Sequence, residues 1–127
     1  MKYALILSVV FAILIFSCTK DKAELVKAPE AVPVGYCDSM KTAGKVSFKC
    51  FVDSVMKIRC VSCHFSGGSG GTDFTTYSVI NAHASHIAER ISANPTTGSR
   101  MPDGGPYLST DTIAKIQSWV TDGAKNN

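Results

Sequence analysis

Apolar residues fall along this chain in stretches of distinct character. From Ala4 to Phe16 they form an almost unbroken run, and residues 18–35 then mix charges with Pro29 and Pro33 and keep no period. Between Ser47 and Arg59 the residues Phe48, Phe51, Val52, Val55 and Ile58 recur at helical spacing, which predicts a helix with Ser47 as its N-cap. A second helix is predicted over Thr75–Ile91, with a break near His83. Thr75 or Thr76 would cap it, and Tyr77, Val79, Ile80, Ile87 and Ile91 would face inward. The third runs from Thr110 to Asp122, capped by Ser109 and ended by Gly123, with Ile113, Ile116, Trp119 and Val120 as its stripe. The stretches between helices, 66–71 and 96–105, are rich in glycine. No segment alternates in the manner of a strand, so the expectation is an all-α fold of three to four helices.

The first apolar run is shorter than the roughly 20 residues that span a bilayer and follows a positive Lys2, which predicts a signal peptide over residues 1–17. The run ends Ile15-Phe16-Ser17-Cys18, which resembles a bacterial lipobox; Thr19-Lys20-Asp21-Lys22 resembles the start of Bacteroidota-type lipoproteins. That resemblance implies cleavage before Cys18 and acylation there, since several acyl chains on one cysteine give stable anchoring. Ordinary signal cleavage or an uncleaved anchor are the alternatives. The expected product is an exported, periplasmic or outer-membrane lipoprotein, with residues 18–35 as a flexible tether and 36–127 as its domain.

The most informative chemistry lies just after the first predicted helix. Cys60-Val61-Ser62-Cys63-His64 has the spacing by which two thiols add to the vinyl groups of a c-type haem while the next residue ligates the iron. A zinc site needs about four ligands, and the sequence offers no second paired cluster. A redox dithiol is expected within a βαβ pattern, which is absent. The prediction is one covalent haem c held by Cys60, Cys63 and His64.

A sixth iron ligand is expected from Met101, in the loop Arg100-Met101-Pro102-Asp103-Gly104-Gly105. Met/His ligation raises the potential, and Pro102 restricts the backbone beside the methionine. Met40 lies before the first predicted helix, and Met56 should pack as core. His83 and His86 are the rivals and would make a bis-histidine site. Arg90 and Arg100 are candidates for charge-assisted bonds to haem propionates. Trp119 and Tyr107 are candidates for the pocket wall, with ordinary helix packing the alternative for Trp119.

Of five cysteines, Cys37 and Cys50 remain after lipid and haem are assigned. An even pair in an oxidising compartment predicts a disulfide; two free buried thiols are the alternative. Formal charge is only +3, too weak to imply a nucleic-acid partner. Lys41, Lys45, Lys49, Lys57 and Arg59 precede the haem motif, either as a rim that steers an acidic redox partner or as a solvated helix face.

Together, Cys60 to His64, Gly70-Gly71-Thr72-Asp73-Phe74-Thr75-Thr76-Tyr77, Arg90-Ile91, residues 100–105, Leu108-Ser109 and Ile113 through Ala124 resemble a class I monohaem cytochrome c. The resemblance is to planctomycete-type and small Bacteroidota lipoprotein domains and covers about residues 36–126. It implies helices wrapped round the haem with Met101 opposite His64. Relatives often carry a cysteine early in the last helix; here that region reads Ser109-Thr110-Asp111-Thr112, which leaves Cys50 as the partner for Cys37. The implied function is one-electron transfer with an unidentified redox protein, not catalysis. The alternative is a ligand-binding, sensing or peroxide-reducing haem with an open or displaceable sixth position.

Overall fold

In the computed structural model, which describes residues 32–127, helices account for all the regular secondary structure of the described residues. They are α1 (Tyr36–Thr42), a π-helical turn (Phe48–Val52), α2 (Asp53–Arg59), α3 (Tyr77–Ala82), α4 (Ala84–Arg90) and α5 (Thr110–Thr121). The predicted signal peptide, Cys18 and most of the predicted tether lie outside the described residues. No helix among the described residues is long and apolar enough to cross a membrane.

The predicted first helix begins as expected, with the Ser47 hydroxyl accepting from the Cys50 amide at 3.3 Å. Its first turn is wider than an α-turn: the Val52 amide donates back to the Ser47 carbonyl. Phe48, Val52 and Met56 are consequently the buried positions, Val52 and Met56 almost completely. Ile58, placed on the stripe by its spacing, is instead 71% exposed. It lies on the wall of the cavity described below rather than in the helix core.

Helix α1 has no counterpart in the sequence prediction. None of its residues is buried, so it has no apolar stripe to read. It is fastened covalently by a Cys37–Cys50 disulfide, with Cα atoms 5.6 Å apart, a usual separation for such a bond. The predicted second helix is divided at His83, whose φ of −107° and ψ of 9° separate α3 from α4. Thr76 occupies the N-cap position without capping through its side chain. Asp73 instead organises that entry, accepting from the Thr75 amide and hydroxyl at 2.8 and 2.6 Å.

Helix α5 is bounded as predicted. Ser109 accepts from the Thr112 amide. At the other end Gly123 takes φ +90°; its amide bonds the Val120 carbonyl and that of Ala124 bonds the Trp119 carbonyl. That pair is a Schellman closure, in which glycine adopts the left-handed conformation at little cost. Trp119 is 1% exposed. Its ring centroid lies 5.7 Å from that of Phe48, and its Nε1 donates to the Lys125 carbonyl at 2.9 Å. It therefore joins the core of helix packing. Phe48 also meets Tyr77 edge-on at 4.9 Å. The tail closes this core: Ser47 Oγ and the Lys49 amide donate to the Asn127 carbonyl oxygen, and the Phe48 amide donates to Asn127 Oδ1. Those contacts satisfy amides that a helix start leaves without intrahelical partners.

Candidate cofactor site

Helical bonding runs on from α2 into the cysteine motif. The Cys60 and Val61 amides donate to the Met56 carbonyl, and those of Cys63 and His64 to the Cys60 carbonyl. This single turn sets Cys60, Cys63 and His64 on the wall of one cavity of about 660 Å³, within the 300–1,000 Å³ typical of small-molecule and cofactor sites. The two thiols are free, Cys60 half-buried and Cys63 exposed. Burial pushes the Cys60 thiol up to about 11 against the opposing pull of Arg59. A dithiol redox centre depends on a lowered thiol pKa, so this environment is the reverse of what that alternative needs. No group of three or more His, Cys, Asp or Glu side chains gathers at metal-holding distance among the described residues.

His64 is fixed from three sides. Its Nδ1 lies 3.1 Å from the Thr72 carbonyl oxygen. A carbonyl only accepts, so Nδ1 is the donor, and in the neutral ring the lone pair is on Nε2. The ring stacks on Phe74 with centroids 4.6 Å apart and planes at 21°. Gly70 closes the third side: a Cβ there would lie 2.5 Å from His64 Nδ1 and 2.6 Å from Cγ. The turn that carries these contacts is tied down by the Gly70 amide on the Cys63 carbonyl and the Phe74 amide on the His64 carbonyl, both at 2.8 Å. A backbone carbonyl is the usual kind of partner for the second nitrogen of a metal-bound histidine. It has no signature in the sequence; the Gly70 contact leaves only the residue type, whose reason appears in the fold.

The loop before α5 contributes Met101 to the cavity wall, half-buried and packed against the core cluster. Its amide donates to the Arg90 carbonyl at 2.8 Å. The Met101–Pro102 and Gly105–Pro106 peptide bonds are cis. His83 and His86 also line the cavity, as does the deeply buried Met56. Met40 lies in a separate pocket of about 220 Å³ beside Trp119.

The two arginines part company. Arg90 lines the cavity while its Nε donates to the Ser99 carbonyl at 2.7 Å. Arg100 stacks over the Tyr107 ring, 4.0 Å from its centroid, and its buried Nε has no partner among the described residues. Neither Arg100 nor Tyr107 nor Trp119 is among the residues of the cavity wall. Of the basic cluster, Lys57 pairs with Asp53 at 2.7 Å, and Arg59 donates to the Pro106 carbonyl at the cavity rim. Lys41, Lys45 and Lys49 are exposed.

The donor set fits a c-type haem: two free thiols and a histidine with its lone pair on Nε2 share a cavity of suitable size with a thioether. No protein family, curated protein or solved structure matches the chain.

Proposed function

We propose that this protein is a c-type cytochrome that carries single electrons, lipid-anchored outside the cytoplasm. The observation that carries the reading is the His64 Nδ1–Thr72 carbonyl bond, made beside Cys60 and Cys63 on a cavity that Met101 also lines. Cys60 and Cys63 would hold the haem through its vinyl groups, and His64 Nε2 and the Met101 sulfur would ligate its iron. The bound group supplies an iron that gains and loses one electron.

The chain's own residues account for the rest. Thr72 fixes the histidine tautomer and raises the basicity of Nε2. Phe74 and Gly70 restrict the ring to one orientation. Arg90, on the wall, offers its free guanidinium nitrogens to an anionic edge. Met101 would bring a soft thioether, a weaker donor than imidazole, which favours the reduced state relative to a second histidine. The Cys37–Cys50 disulfide supports an oxidising compartment, in keeping with a signal peptide and acylated Cys18.

The test is expression of the full chain with c-type maturation machinery, read by a pyridine haemochrome spectrum. Covalent haem is expected; unattached haem, or none, would refute the assignment. Met101→Ala should abolish the weak sulfur-to-iron charge-transfer band of the ferric form and lower the potential. His83 and His86, which also line the cavity, are the residues an open ligand-binding or peroxide-reducing site would use. Rapid, tight carbon monoxide binding by the reduced wild type would favour that second reading.

A further inference from the structure

The segment that leads to Met101 has little packing of its own. Residues 92–100 run through bends, and positions 96–99 are all exposed. What holds the segment is the last turn of α4, from which it departs. The Glu89 carboxylate takes four hydrogen bonds from two consecutive threonines. Its Oε1 accepts from the Thr96 amide and hydroxyl and from the Thr97 amide, and its Oε2 accepts from the Thr97 hydroxyl at 2.6 Å. Arg90 holds the remainder, with its Nε on the Ser99 carbonyl and its own carbonyl receiving the Met101 amide. The donors, led by the Thr97 hydroxyl and amide, keep the Glu89 carboxyl ionised, at about 2.

A thioether is neutral and brings no charge attraction to keep it at a metal. Its retention depends on how firmly the chain presents it, because every conformer in which the loop wanders opposes ligation. We propose that Glu89 is a positioning residue for Met101: its carboxylate pins residues 96–97 to α4 and so keeps the sixth position closed to external ligands. This rests on the reading of Met101 as an axial ligand. Arg90 is the second anchor, but it also lines the cavity, so Glu89 is the cleaner place to separate loop control from haem contact.

The experiment uses the full chain with haem attached and compares Glu89→Ala, Glu89→Gln and Thr97→Val. Met101→Ala serves as the reference, and Asp111→Asn as a surface-carboxylate control. With the haemochrome yield unchanged, Glu89→Ala should weaken the sulfur-to-iron band. Its ferrous form should bind carbon monoxide about tenfold faster, as a tenfold rise in the open fraction requires. Thr97→Val and Glu89→Gln should move the same way by less, and Asp111→Asn not at all. If Glu89→Ala fails to fold, Thr97→Val decides the matter. Wild-type band and carbon monoxide rates in the Glu89 and Thr97 variants, with the band lost in Met101→Ala, would overturn the role of Glu89 and leave the ligand assignment standing. A band that survives Met101→Ala would remove the ligand assignment and this inference with it.

Discussion

Replacing Gly70 with alanine tests the construction of the site most directly. The added Cβ would stand 2.5, 2.6 and 2.7 Å from Nδ1, Cγ and Cε1 of His64, whereas carbon contacts are comfortable at about 3.5–4.0 Å. The ring must therefore retreat by roughly 1 Å. It cannot do so freely, because it is stacked on Phe74 and bonded to the Thr72 carbonyl. Overpacking of this kind costs about 1–3 kcal/mol, and an unmade bond at Nδ1 adds about 1 kcal/mol or more. The expected loss is about 2–4 kcal/mol, roughly 10–20 °C in melting temperature for a domain of this size. The adjacent Gly71 supplies the control. It has φ +76° and nothing within 4 Å of a built Cβ, so Gly71→Ala incurs backbone strain alone, about 1–2 kcal/mol. Thermal melts should rank the two variants in that order. Ferric spectra should show a disturbed proximal ligand, with some high-spin iron, only in Gly70→Ala. Equal stability losses together with a normal low-spin spectrum in Gly70→Ala would refute the argument that this glycine makes room for the His64 ring.

Three further outcomes are expected. A Cys37→Ser/Cys50→Ser double variant should lose about 3 kcal/mol in denaturant unfolding, because the bond closes a loop between residues 13 apart, yet it should still attach haem. Cys18→Ser should move the protein from the membrane to the soluble fraction; retention in the membrane would argue against acylation there. Glu89 has a folded-state pKa of about 2, below its ordinary value of 4.5. Its contribution to stability is therefore complete above pH 4.5 and is lost as pH falls towards about 2. Wild type should lose stability through that acid window more steeply than Glu89→Gln, as followed by melts at stepped pH.

Much of this molecule is written locally. The three apolar stripes located the helical segments, Ser109 and Gly123 bounded α5, and the pentapeptide from Cys60 to His64 singled out three residues that the structure places on one cavity wall. Met101, singled out as a methionine beside a proline in a glycine-rich loop, lies on the wall of that same cavity. Other features needed the folded chain. Helix α1 carries no buried residue and so leaves no period to read, although the Cys37–Cys50 bond that fastens it was predicted by cysteine count. The π-helical turn changes which positions of the first stripe meet the core, and Ile58 goes to the cavity. Trp119 packs on Phe48, and Arg100 stacks on Tyr107, through side-chain contacts that spacing does not encode. The partner of His64 is a backbone carbonyl, a group every residue possesses, so no residue type could announce it. Periodicity and motif spacing record which residue types recur; how the following loop folds back to grip the His64 ring, and how the last turn of α4 holds the segment that leads to Met101, are decided by backbone and side-chain contacts that no period encodes.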